Sequence, residues 1–319
     1  TDSGVDGADG GGGRSMSPSM SFDVEYLELL RTIRDHGFEQ QNKKGLNTTL
    51  PHSALFKIEL RGDDDAEDFL PITTLRKMDP TKAVVEAIWM LRGDDDITFM
   101  QKHRCRFWDT QARNNRLGKG GYTLLTNWPN PPNGNLNQLE EKVVKPLCEL
   151  KDGVYKCSRN MVCSLVHPIL ETVQPPCTSS VQFTVTSIDG DQERLNITLH
   201  QRSSDVMLGL PHDVVAWTVI LHLVRREVAR RTGGKRCLAA GSLTLNLVSA
   251  HNYEVNVEQL QKVLTRKPVP GQAATLGGQD TSLRDVKNDY TRRTLEMKFP
   301  ILGFDANLVH KGIKVNHAT

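Results

Sequence analysis

Apolar residues recur at helical spacing over residues 22–36, where Val24, Leu27, Leu30 and Ile33 share one face and Gly37 offers a stop. Residues 54–60 read as a strand. Residues 81–91 read as a helix opened by a threonine cap. Helical spacing returns over 136–150, and 158–162 opens another strand. Two strand-like runs, 180–186 and 195–200, flank a stretch at 188–193 that reads as a hairpin turn. Over 211–231 apolar residues occupy nearly every side, from Val214 and Trp217 to Leu223 and Val224, which predicts a buried central helix. Alternation at 240–248 predicts a strand, 254–264 a helix and 293–299 a last strand.

Helices and strands are interspersed, and no linker, repeat or shift of composition divides them. The pattern predicts a single α/β (α+β) domain over 22–319 with ample core. Residues 1–21, rich in Gly, Ser and Asp, are expected to be a disordered tail. The acidic run 62–68 reads as a solvated loop.

Composition narrows the function. A net charge of +2 argues against nucleic-acid binding driven by bulk charge. The six cysteines form no Cys-x-x-Cys pair, which disfavours a zinc site or a disulfide scaffold. Free thiols suit a reducing compartment. No apolar run reaches membrane-spanning length and no signal-peptide core is seen, so a cytosolic protein is expected. The arginines that close the central helix, Arg225, Arg226, Arg230 and Arg231, suit a helix C-terminus.

Candidate chemistry concentrates in two stretches. Cys177 follows Gln174-Pro175-Pro176, and two prolines restrict its approach side. Downstream, Gln201-Arg202-Ser203-Ser204-Asp205 and Leu208-Gly209-Leu210-Pro211-His212-Asp213 gather a cation, two hydroxyls and two acids. A nucleophilic thiol, an anion clamp and proton carriers are what a thiolate attack on an anionic substrate requires.

In these motifs the chain resembles the thymidylate synthases and their pyrimidine-nucleotide hydroxymethylase relatives, over roughly residues 22–306. The proline-cysteine, glutamine-arginine-serine and aspartate/leucine-glycine-leucine-proline signatures occur in family order. The resemblance implies the thymidylate-synthase-like fold, a large mixed sheet packed by helices that pairs as a homodimer. It implies 5,10-methylenetetrahydrofolate as co-substrate, a pyrimidine nucleoside monophosphate as substrate, and no metal. Cys177 would be the nucleophile, its thiol lowered by a cation such as Arg202. Glu86 would relay protons beside the base. Arg202, Ser203, Lys43 and a partner subunit's arginine at position 159 would hold the phosphate. His251 and Tyr253 would meet the sugar, and Trp108, Asp205 and Gly209 the folate.

Departures from the family pattern are informative. Lys43 stands where the family has arginine, and Asn160 replaces the second of two arginines. Gln111 replaces a tryptophan, Tyr122 is out of register in its glycine-rich loop, and the C-terminus is polar where the family closes over the folate. Asp213 stands where uridylate enzymes carry asparagine. Cytosine offers an acceptor at N3 and a donor at its amino group, which a protonated carboxyl complements. The resemblance therefore implies a (d)CMP 5-hydroxymethylase. Alternatives are a (d)CMP 5-methyltransferase, a uridylate-using synthase or hydroxymethylase, and an inactive nucleotide-binding relative. Ribose and deoxyribose are not distinguished.

Overall fold

The computed structural model describes residues 17–61, 68–188 and 192–316. The first helix, α1, is Pro18–His36. It begins earlier than expected because the Ser17 side chain accepts from the Met20 N–H and Pro18 fits the first helical position. Residues 18–21 therefore belong to α1, not to a tail; residues 1–16 lie outside the described residues.

Three strands follow: β1 (Phe38–Asn42), β2 (Gly45–Thr49) and β3 (Ala54–Glu59). Helix α2 is Pro80–Arg92. Its cap is Asp79, whose carboxylate accepts from the Thr81 N–H at 3.2 Å, rather than Thr81 itself. The helix stops at Gly93, which takes φ +71°. Past some two-residue strands, the larger sheets continue with β4 (Val162–Ser164), β5 (Thr178–Ile188), β6 (Gln192–Gln201) and β7 (Ser204–Asp205). Helix α3 is Leu210–Arg231, followed by β8 (Ala239–Leu247), β9 (Ala250–Tyr253), α4 (Val257–Leu264) and α5 (Arg292–Lys298).

The main sheet has the order β3-β8-β6-β5-β4. Strands β5 and β6 pair antiparallel as the expected hairpin, while β6 and β8 are parallel. A parallel pair needs a long crossover, and α3 supplies it. That explains a helix apolar nearly all round: Val214, Trp217, Ile220, Leu221 and Val224 are wholly buried. Two rows of side chains cross the inner face of the sheet. One is Phe183, Ile197, Leu243 and Ile58; the other is Val181, Leu199, Leu245 and Phe56. All eight are buried, so strand register is fixed by the alternation itself. Opposite a shift in the β6 register, Gly241 leaves room that a Cβ would fill at 2.1 Å from Asn196 Oδ1. A second sheet, β1-β2-β9-β7, stands beside the C-terminal ends of β6 and β8.

Three expectations are corrected. Of residues 293–299, 293–298 are helical, within α5, and Phe299 is its C-cap. Thr291 caps that helix by accepting from the Thr294 N–H, and Arg292 pairs with Glu296 one turn on at 2.8 Å. Only Leu295 of this helix is buried, so no sheet face rewards an extended chain. Residues 135–136 form a short strand with Trp128–Pro129, and the helical turns after them pass through a π-helix, Glu140–Val144, into Lys145–Cys148. Pro146 has no N–H to give to a regular α-turn there. Finally, Asp68 is not solvated. It is 3% exposed and accepts from Arg225 and from Arg226 at 2.7 Å, so part of the basic end of α3 faces inward. Residues 62–67 lie outside the described residues.

Candidate active site

The pairing of β5 with β6 builds the site. Cys177 immediately precedes β5 and Arg202 immediately follows β6, so antiparallel register sets them side by side. The Arg202 N–H donates to the Cys177 carbonyl at 2.9 Å. Its guanidinium donates to the Pro175 carbonyl at 2.7 Å and the Pro176 carbonyl at 3.0 Å. Arg202 thus fixes the backbone that presents the thiol, while Nη1 has no partner among the described residues.

Cys177 opens on a cavity of about 330 Å³ whose lining includes Lys43, Glu86, Trp108, Arg202, Ser203, Asp205, Gly209, Asp213, His251 and Tyr253. Burial pushes the Cys177 thiol up to about 12, and Asp213 adds to the rise; Arg202 and Lys44 oppose it without overcoming it. The expectation that Arg202 lowers the thiol is thus corrected for the ligand-free pocket: burial outweighs the cation. Lys43 and Lys44 are the two turn residues between β1 and β2, where Asn42 pairs with Gly45. Lys44 was not singled out by sequence, although a two-residue turn puts both lysines at its tip.

Two carboxyls share the pocket. Glu86, on α2, is 6% exposed and accepts from the Trp108 indole N–H at 2.8 Å. Burial and the neighbouring Asp213 push Glu86 up to about 8. Asp213, in the first turn of α3, accepts on Oδ2 from Gln201 Nε2 at 2.8 Å. Burial pushes Asp213 up to about 7, against that hydrogen bond. Gln201 is fully buried, the inward-facing successor of Leu195, Ile197 and Leu199 on β6. That phase was legible in the sequence, because a glutamine on an apolar strand face requires a polar partner.

Asp205 Oδ1 accepts from the Met207 and Leu208 N–H groups, both at 3.0 Å, and burial raises its pKa. His251 Nδ1 lies 3.1 Å from the Ser249 carbonyl, and its ring meets Tyr253 edge-on at 5.0 Å. Burial raises Tyr253. Tyr122, out of register in sequence, does line the cavity, and burial holds its phenol well above the usual range. His212, Gln111, Phe107 and Gln174 also line the cavity. Arg159 is exposed and is not among the lining residues within one chain.

Another cavity, of about 840 Å³, lies at the far end of α3. Its Arg226 spends its donors on Asp68, Leu276, Gly277, Gly278 and Thr281, and its Arg230 pairs with Glu227. Among the described residues no cluster of three or more His, Cys, Asp or Glu side chains can hold a metal ion. No helix there is long and apolar enough to cross a membrane.

A family model described as thymidylate synthase matches the chain over residues 24–298, a span that holds the thiol, its arginine and the two raised carboxyls. The chain belongs to the thymidylate synthase family. Its mixed α/β domain is the fold of that family. Thymidylate synthase family members transfer a one-carbon unit from methylenetetrahydrofolate to a pyrimidine nucleotide, and this chain is a transferase of that type.

Proposed function

We propose that the protein is a (d)CMP 5-hydroxymethylase. The observation that carries this reading is Asp213, a carboxyl inside the thiol's cavity whose affinity for a proton is raised to the neutral range. With Gln201 donating to Oδ2, the proton resides on Oδ1. A carboxyl in that state donates to cytosine N3 and accepts from the amino group. Against uracil it faces N3–H with its own O–H and meets O4 with an acceptor.

Cys177 adds through Sγ to C6 of the pyrimidine, which makes C5 nucleophilic. Its proton has an acceptor at hand in the carboxylate form of Glu86, and bound nucleotide brings the ring that the thiolate attacks. Glu86, held by Trp108, exchanges protons with the base as electron density shifts. Lys43, Arg202 and Ser203 hold the phosphate, joined by the arginine at position 159 of a second copy; His251 and Tyr253 face the sugar.

Methylenetetrahydrofolate supplies a one-carbon unit at the oxidation level of formaldehyde. The cavity suits it: Trp108 and Phe107 give aromatic surface, Asp205 and Gly209 border the wall, and Gln111 Oε1 is buried with no partner among the described residues. The Gly209 Cβ position is 3.9 Å from Asp213 Oδ2, so the missing side chain keeps the space beside that carboxyl open. Gln111 in the lining supports a wet pocket and hence capture of water.

The test is incubation with each pyrimidine monophosphate and methylenetetrahydrofolate, with products weighed by mass spectrometry. A 5-hydroxymethyl product from CMP or dCMP is expected, with tetrahydrofolate released. A methyl product with stoichiometric dihydrofolate, or turnover of uridylate alone, would overturn the reading.

A further inference from the structure

His212 lines the cavity but has no part in the chemistry above. Its Nδ1 lies 3.0 Å from the Leu208 carbonyl. A carbonyl only accepts, so Nδ1 carries the hydrogen. Burial, with the charge of Arg76, pushes His212 down to about 3, so the ring is neutral. Nε2 is therefore a lone-pair acceptor, and it makes no hydrogen bond among the described residues. The ring is held edge-on against Phe107 at 4.6 Å. Gln111 lines the same cavity, and its Oε1 is a second acceptor, buried and without a partner among the described residues. The nearby indole donor, Trp108 Nε1, is already given to Glu86.

Two unmet acceptors in the lining of one cavity call for a ligand with two donors, and a water molecule is the smallest that serves. We propose that His212 and Gln111 are positioning residues that bind and aim the water captured at the one-carbon unit. This rests on the hydroxymethylase reading. With both hydrogens of the water engaged, its lone pairs point away from the wall and into the cavity. A neutral imidazole with so little affinity for protons orients the water and does not keep its proton.

The step is balanced most simply from the product side, without folate. Cys177 Sγ bonds to C6 of 5-hydroxymethylcytidylate, the C5–C6 pair shifts to the exocyclic carbon, and the C–O bond breaks. The thiol proton leaves with the hydroxyl as water. Return of a solvent water reverses each change: its oxygen bonds to the exocyclic carbon, the pair returns to C5–C6, and the proton goes back to sulfur.

The experiment follows incorporation of oxygen-18 from labelled water into 5-hydroxymethyl-dCMP and 5-hydroxymethyl-CMP with no folate present. Release of tritium from C5 of dCMP and CMP is followed in parallel. Tritium release needs Cys177 and the nucleotide contacts but not the captured water. The variants are His212→Phe, which keeps the ring and its packing on Phe107, and Gln111→Met, which keeps length. Loss of a buried acceptor should slow oxygen exchange by about tenfold in each. Tritium release should stay within about threefold of the wild type, well inside the change expected for one lost hydrogen bond. Unchanged oxygen exchange in both variants overturns the proposal. An equal fall in both readouts assigns the two residues to packing and also overturns it. A wild type that releases tritium but never exchanges oxygen refutes the hydroxymethylase reading itself.

Discussion

Gln201 Nε2 lies 2.8 Å from Asp213 Oδ2, joining the last residue of β6 to the first turn of the crossover helix. Gln201 keeps the inward phase of Leu195, Ile197 and Leu199, and the register shift beside it leaves Ser179 of β5 unpaired in the β5–β6 ladder. The amide orients the carboxyl proposed to read the base, so several expectations meet at this pair.

Asp213→Asn should reverse base preference. Each mismatched buried polar contact costs about 1–3 kcal/mol, so two should move the CMP/dCMP-to-uridylate ratio of kcat/KM by roughly tenfold to several thousandfold toward uridylate. In the wild type, cytidylate turnover should fall as pH rises through about 7, because the protonated carboxyl is the reading form. The stability sign follows from the same shift. A carboxyl with a raised folded pKa favours the native state at low pH and loses that contribution as pH rises through about 7. The melting temperature of Asp213→Asn relative to wild type should therefore be higher at pH 8 than at pH 4. An unchanged base preference would leave Asp213 as a helix-terminal acid only.

Trp108→Phe removes the donor that lowers Glu86 against burial. The ionisation of Glu86, at about 8 in the wild type, should move to higher pH. A lost hydrogen bond to a charged group is worth about 1.5–3 kcal/mol, so C5 tritium release at neutral pH should slow by roughly tenfold or more. Its pH profile, recorded for both proteins, checks the direction.

Cys177→Ala should abolish both turnover and C5 tritium release. Nucleotide affinity, measured by calorimetry, should change little, since the residues proposed to hold the phosphate and sugar are others in the cavity lining. Substantial turnover by this variant would refute the nucleophile assignment.

Arg159 is exposed and makes no hydrogen bond or ion pair through its side chain among the described residues; its carbonyl accepts from Gln182 on β5 at 3.0 Å. If it serves a second copy's phosphate, Arg159→Ala and Cys177→Ala subunits mixed and re-associated should recover activity that neither has alone. An active species that sediments as a monomer would refute this arrangement.

Asp68→Asn tests the buried cluster away from the site. Burial alone would raise the Asp68 carboxyl, but His222, Arg225 and Arg226 overcome it and hold it well below the usual range. Removing the charge leaves the arginines without their anion, and breaking such a buried pair typically costs about 3–5 kcal/mol. Urea unfolding should show a loss of that order at neutral pH. The difference from wild type should shrink in acid, where the stability supplied by a depressed carboxylate is lost.

Local regularities in the sequence determined most of the scaffold. Alternation fixed β5, β6 and β8, continuous apolarity marked α3 as buried, and the order of short motifs placed Cys177, Arg202, Asp205 and Asp213 at the ends of those elements. Such signals are legible because each repeats with the period of its own element. The tertiary structure decided what depends on distant neighbours. It turned residues 293–298 into helix, where no strand offered a partner, and drew Asp68 inward to guanidiniums more than 150 residues away in the chain. It also made His212 a neutral acceptor, and it raised Asp213, Glu86 and Cys177 together by taking them out of water. Residue type and spacing set which groups can meet. Burial and the charges around them, which only the folded chain brings together, set the protonation states in which they meet.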